Sequence, residues 1–215
     1  TSKQDEAEAI LKDKIIFNEF PQGMPLVERN LCDMLNMSRT PIRGALLSLC
    51  RAGLVTAIPG KGMYVSTVDQ QDIEEIYGMR ALVDTAVMVS FVKNAGPDQI
   101  GQAREYIDRM YEAAKQGDTE TMNDYDILFH QYYTDHCGNN RLAALLNSVT
   151  DLFCRFRYII TTDKDMNLIF ANEHLLIMDA IAANDQAEAE LQMKAHYSHL
   201  KRYHLRRHLN RKPRL

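Results

Sequence analysis

Ser38-Arg39-Thr40-Pro41-Ile42-Arg43-Gly44-Ala45-Leu46-Leu47-Ser48-Leu49 decides how the first third of this 215-residue chain is read. Ile42, Ala45, Leu46 and Leu49 recur at helical spacing and predict a buried stripe. Ser38 suits the N-cap, and Pro41 falls in the first turn, where a missing N–H costs nothing. Ser38, Arg39, Thr40 and Arg43 are left at the exposed N-terminal end. Hydroxyls there can bond phosphates, and arginines can reach phosphates or guanine edges. Upstream, Val27, Leu31, Met34 and Leu35 share one face of a shorter helix that Asn36-Met37 ends. Downstream, Gly53 stops the longer helix. Residues 54–58, Pro59-Gly60-Lys61-Gly62 and residues 63–65 then read as a hairpin with a glycine-rich, lysine-bearing tip. Helix, turn, helix and β-ribbon in that order predict a winged helix-turn-helix, an element that reads duplex DNA. Gly44 stands mid-helix, where glycine costs about 1 kcal/mol relative to alanine, and predicts a softened recognition helix.

Outside this stretch the pattern is helical. Residues 3–18 predict a first helix, followed by a turn at Phe20-Pro21-Gln22-Gly23. After Val65 come amphipathic stretches over 72–94, 98–116, 119–137, 141–161, 164–183 and 186–209. Short breakers such as Ala95-Gly96-Pro97 and Gly138-Asn139-Asn140 separate them. The fold class is therefore mainly α. A winged helix-turn-helix over residues 1–67 precedes an all-α antiparallel helical bundle over residues 68–215.

Composition is ordinary for a globular chain, 46% hydrophobic and 25% charged. No apolar run reaches the roughly 18 residues that span a bilayer, and no signal segment opens the sequence. Cys32, Cys50, Cys137 and Cys154 show no CxxC spacing and read as reduced core thiols of a cytoplasmic protein. The net charge of −4 is unlike that of a DNA binder, but its distribution helps. Residues 1–68 carry eight Lys/Arg against seven Asp/Glu, and residues 69–215 carry seventeen against twenty-two. A local basic patch on the recognition helix and wing is enough, because phosphates respond to local potential. The basic tail, residues 201–214, reads as a solvated helix end, with auxiliary DNA or partner contact as the minor reading.

All seven histidines lie after residue 129. Asp126 and His130 are four apart and share a helix face. His174 is surrounded by Leu175, Ile177, Met178 and Ile181, and His196 stands beside Leu191, Ala195 and Leu200. Four groups on three antiparallel helices can converge, and one carboxylate with three imidazoles suits zinc, nickel or another borderline divalent ion. A lone histidine on an apolar face also serves as a satisfied core residue, so spacing leaves both readings open. His199, His204 and His208 are rival ligands by spacing and read as solvated. A water-activating metal enzyme is the competing class. No nucleophile motif, phosphate loop or HExxH accompanies the cluster, and the chain reads as no enzyme.

Two sets of residues resemble a known family. Gly23-x-x-Leu26-x-Glu28-Arg29-x-Leu31, then Ser38-Arg39-Thr40-Pro41-x-Arg43-x-Ala45-Leu46-x-x-Leu49, then Gly53-Leu54 and Pro59-Gly60-Lys61-Gly62, resemble the DNA-binding domain of GntR-type bacterial regulators. Gly44 departs from that pattern, which usually carries glutamate there. Asp126-x-x-x-His130, Gly138-Asn139, Glu173-His174, Ile177-x-x-Ala180-Ile181-x-x-x-Asp185 and Ala195-His196 resemble the FCD effector domain of the FadR-type branch. The resemblance implies operator contacts by Arg29, Arg39 and Arg43, helped by Ser38, Thr40 and Gly60, with Lys61 at the wing tip. It implies a divalent metal, zinc or nickel, held by Asp126, His130, His174 and His196. It further implies a small carboxylate or sugar-acid effector, with Arg80 lining its pocket and Asp84 four residues on as a partner for that arginine. Arg155 and Arg157 flank an apolar line and are candidates for the same pocket. The function implied is a ligand-responsive repressor that binds a near-palindromic double-stranded operator as a homodimer. A regulator whose metal is structural, or is itself the signal, is the alternative.

Overall fold

The computed structural model describes residues 2–158 and 164–210, with side chains described through residue 154 in the first stretch and residue 207 in the second. The elements are α1 (Lys3–Ile16), α2 (Glu28–Leu35), α3 (Arg39–Arg51), β1 (Val55–Ile58), β2 (Gly62–Val65), α4 (Gln70–Asn94), α5 (Pro97–Gln116), α6 (Thr119–Asp135), α7 (Asn140–Tyr158), α8 (Lys164–Ala182) and α9 (Gln186–Asn210). They form two compact units, Thr1–Asp72 with Asp151–Ile159, and Ile73–Thr150 with Ile160–Leu215. Among the described residues no helix is long and apolar enough to cross a membrane.

In the first unit, α1 starts at a capping box: Ser2 Oγ accepts from Asp5 N–H, and the Asp5 carboxylate accepts from Ser2 N–H. Its buried Ala7, Leu11 and Ile15 face Ile42, Ala45, Leu46 and Leu49 of α3, with Leu31 of α2 closing the core. Asn36, in the left-handed region at φ 51, ends α2. Ser38 takes the N-cap position of α3 with extended backbone, but its hydroxyl makes no cap bond. The serine is thus placed as expected without performing the expected local job.

Gly53 (φ 75) ends α3 in a Schellman turn, with Gly53 N–H to Cys50 O and Leu54 N–H to Leu49 O, both 3.0 Å. The hairpin pairs Val55 with Val65 and Ile58 with Gly62, antiparallel. An addition that hydrophobic alternation does not reveal is a third edge. Leu26 N–H donates to Met63 O and Val65 N–H to Met24 O, bridging Pro25 to Tyr64.

In the second unit, α5 packs on α6 and α8, and α8 on α9. Gly117 turns the chain in the left-handed region after α5, and Asp118 caps α6 by accepting from Thr121 N–H at 3.1 Å. The core is built from Tyr77, Met88 and Phe91 of α4, Ile107 and Met110 of α5, Phe129 and Tyr133 of α6, Ile177 and Met178 of α8, and Met193 and Tyr197 of α9.

Candidate nucleic-acid interface and metal centre

Arg29, Ser38, Arg39, Thr40, Arg43, Gly60 and Lys61 are all exposed. Ser38 stands at the N-cap and Arg39, Thr40 and Arg43 lie in the first turns of α3, clear of the core that Ile42 and Ala45 enter. Arg43 Nε donates to Glu28 Oε1 at 3.0 Å, which sets the direction of its guanidinium from the start of α2. Gly60 and Lys61 form the hairpin tip, where Lys61 N–H closes the turn on Ile58 O. Gly44 has a spatial role as well. A Cβ added there would meet the end of the Gln4 side chain of α1.

Three of the four expected ligands meet. Asp126, His130 and His174 bring one ligand atom each within 4.8 Å of one another. His174 Nε2 is 3.0 Å and His130 Nε2 3.8 Å from Asp126 Oδ1, and the two Nε2 atoms are 3.3 Å apart. Ligands about 2.1 Å from one ion at tetrahedral angles stand roughly 3.4 Å apart, so these separations fit a small divalent cation. His196 does not join within the same distance. Its ring lies edge-on to His174, with centroids 4.4 Å apart, and Glu173 holds it there.

The surroundings orient all three rings alike. His174 Nδ1 bonds Phe170 O at 2.8 Å, His196 Nδ1 bonds Glu173 Oε2 at 2.6 Å, and His130 Nδ1 lies 2.5 Å from Tyr133 Oη and 3.2 Å from Asp84 Oδ2. With Nδ1 committed to an oxygen partner, Nε2 is the nitrogen that each ring presents to a cation, the arrangement that second-shell partners impose on metal-binding histidines. Burial and the neighbouring His174 push the His196 imidazole down to about 4, against the pull of Glu173 and Asp126. It therefore stands neutral, the form that binds metal. Burial alone would raise the Glu173 carboxyl, but bonds to His196 and His199 outweigh it and hold the group below its ordinary value.

Beneath His130 lies a buried polar group that the sequence reading reached only in part. Asp84, fully buried, accepts from the hydroxyls of Tyr133 and Tyr197 and lies 3.6 Å from Arg80 Nε. Arg80 also donates to Tyr197 Oη and Thr150 Oγ1, each at 3.0 Å. Burial would raise the Asp84 carboxyl, yet His130, Arg80 and Tyr133 together hold it well below the usual carboxylate range. Burial raises the phenols of Tyr133 and Tyr197, with Asp84 adding to it, so both stay donors. The i,i+4 pair of Arg80 and Asp84 is thus a buried anchor. The side chains of Arg155, Arg157 and His208 lie outside the described residues.

Two further histidines depart from expectation. His204, expected in solvent, is buried against Tyr77, whose hydroxyl meets its Nδ1. His199 is half-buried and bonds Glu173 Oε1 at 2.5 Å. Glu173, adjacent to His174 in sequence, therefore orients two rings of α9. Asp84, Tyr133, Glu173 and Tyr197 had signals of their own: a carboxylate within an apolar run, a carboxylate beside a candidate ligand, and tyrosines three and one residues from ligand histidines.

A winged helix-turn-helix with basic groups on its exposed helix, joined to a helical unit with a buried histidine–carboxylate centre, defines a DNA-binding regulator with a sensing domain. Residues 3–65 match the model of bacterial regulatory proteins of the gntR family, and residues 75–199 match the FCD domain. The chain belongs to the GntR family of transcriptional regulators, in the group that carries an FCD domain, and is not an enzyme. It is 26% identical over 189 residues to the HTH-type transcriptional regulator YdhC of Bacillus subtilis, covering 86% of this chain and 84% of that protein. It is 27% identical over 187 residues to McbR of Escherichia coli, covering 84% and 83%. The solved structure of E. coli McbR/YncC superposes with a TM-score of 0.81 at 19% identity, over 96% of this chain and 99% of that one. A GntR regulator from Rhodococcus sp. RHA1 gives 0.77 at 24% identity, over 99% and 100%.

Proposed function

We propose that this regulator is a repressor that binds a near-palindromic operator as a homodimer. It is released by a small carboxylate or sugar acid bound at a divalent ion, zinc or nickel, in its helical domain. The observation that carries the sensing half is the shared orientation of the three rings. His130, His174 and His196 each commit Nδ1 to an oxygen partner, beside the carboxylate of Asp126. A core histidine needs one such partner, and three rings so oriented, with His130 and His174 at 3.8 and 3.0 Å from Asp126 Oδ1 and His196 edge-on to His174, fit a metal site better than packing. When bound, the ion offers a coordination position to a carboxylate oxygen. Arg80 supports this centre through Asp84 and Tyr197, and a direct clamp on the effector requires it to exchange one of those bonds. On the reading half, Arg29, Ser38, Arg39, Thr40, Arg43, Gly60 and Lys61 are the proposed DNA contacts. Two-fold symmetry pairs two recognition helices with two half-sites. The effector must bind one arrangement of the dimer better than the other, since only a differential affinity shifts an equilibrium.

The test is metal analysis of untagged wild-type protein and of an Asp126→Ala/His130→Ala variant, followed by operator gel shifts with a panel of organic acids. About one ion per chain, lost in the variant, and acid-dependent release of DNA are expected. Absence of metal from both proteins refutes the centre. Release by a chelator with every acid inert makes the metal itself the signal. Arg43→Ala is expected to weaken operator binding by about 1–3 kcal/mol, and unchanged affinity would remove α3 from the groove.

A further inference from the structure

A second concave site lies on the same helices but outside the histidine centre. His199, Arg202, Tyr203 and Arg206 follow one another at i, i+3, i+4 and i+7 along one face of α9. With Met166 in the first turn of α8 they line a pocket of about 170 Å³. No acid is among these lining residues. Like charges four apart on a helix repel, and among the described residues neither Arg202 nor Arg206 has a carboxylate partner. The groove along α5 is different. There Arg104 and Arg109 alternate with Glu105, Asp108 and Glu112, and Arg104 pairs with Asp179 at 2.6 Å. That groove is neutralised by its own side chains, whereas among the described residues the two arginines of the α9 pocket are not.

The pocket is also held in shape. Tyr203 sits edge-on to Phe170 with ring centroids 5.7 Å apart, under the Arg207 guanidinium at 5.4 Å. His199 is oriented by its Nδ1 bond to Glu173. Two guanidiniums, a phenol and an imidazole around a small concavity are donors for a compact anion with several acceptor oxygens. The volume falls below the roughly 300–1,000 Å³ that buries a drug-sized ligand, which favours a small group.

We propose that this pocket binds a phosphate group, as inorganic phosphate or a small phosphate monoester, through Arg202 and Arg206 with Tyr203 as a further donor. The site is separate from the metal centre and does not depend on it. The test is a calorimetric titration of the full-length, chelator-treated protein with inorganic phosphate at constant ionic strength, and with glycerol phosphate in a second arm. Saturable binding is expected, weakened at least about tenfold in Arg202→Gln/Arg206→Gln and unchanged in Asp126→Ala/His130→Ala. The arm with the tighter binding identifies the source of the phosphate. Both arginines are exposed, and an unaltered circular dichroism spectrum will show that the variant is folded. Equal titration of wild type and Arg202→Gln/Arg206→Gln overturns the proposal. So does loss of binding in the Asp126→Ala/His130→Ala variant, which would place the anion at the histidine centre. Weakened duplex binding without any phosphate binding would make this face a DNA contact instead and would also overturn it.

Discussion

Replacing Asp84 by asparagine removes a buried carboxylate that faces Arg80 while keeping the shape of the side chain. The two charges are 3.6 Å apart, with the carboxylate wholly buried and Arg80 nearly so. At an effective permittivity of about 20, unit charges at that distance attract by about 4–5 kcal/mol. Breaking a buried pair from one side typically costs about 3–5 kcal/mol, because the remaining ion is left uncompensated. The new amide also turns an NH₂ toward a shell of donors, where Tyr133 and Tyr197 had both donated to the carboxylate. We expect Asp84→Asn to lower stability by about 3–5 kcal/mol, a fall in melting midpoint of roughly 6–20 °C for a chain of this size. The opposite truncation, Arg80→Met, should cost less, about 1–3 kcal/mol. Asp84 then keeps Tyr133, Tyr197 and His130, whereas in Asp84→Asn the guanidinium loses its 3.6 Å carboxylate and keeps the hydroxyls of Tyr197 and Thr150 among its partners. Urea unfolding followed by far-ultraviolet circular dichroism on wild type, both single variants and the double variant measures all three terms. The double variant should cost less than the sum of the singles. If Arg80→Met proves as costly as Asp84→Asn, or if the two effects simply add, the pair is not coupled and the reasoning fails.

Three further outcomes are expected. Glu173→Gln should weaken divalent-metal binding about 10–100-fold, as the loss of a second-shell carboxylate does, in a competition assay with a chelating dye; an unchanged affinity would show that the orientation of His196 is irrelevant to the ion. Thr85 Oγ1 is buried with no hydrogen-bond partner among the described residues, so the isosteric Thr85→Val should raise stability by about 1 kcal/mol, and a loss of stability in the same urea titration would contradict this. Gly44→Ala gains about 1 kcal/mol of helix propensity and meets only the end of the exposed, flexible Gln4 side chain; a net stabilisation is expected on thermal unfolding, and destabilisation would show that α1 cannot yield over α3.

The reader was legible because its signals are local. A glycine that must adopt a left-handed conformation at 53, a proline confined to the first turn at 41 and a four-residue hairpin tip each act within a few residues of themselves. The bundle helices were legible for the same reason, since an apolar stripe and a breaker need no knowledge of what lies opposite. The centre was legible only as far as a helix face carries. Asp126 and His130 announce each other at four residues, but Asp84 and His130 meet across 46 positions, and no periodicity on α4 names its partner on α6. The same limit explains His204. Its spacing of seven from the buried Tyr197 places it on the inward face, yet the basic residues around it dominate a reading by composition, and the structure buries it against Tyr77. Ser38 shows the converse, because a residue can occupy the cap position without making the cap bond. Its hydroxyl stays on the outer surface of α3 with Arg39 and Thr40, where the proposed DNA contact rather than a cap bond would give the residue its role.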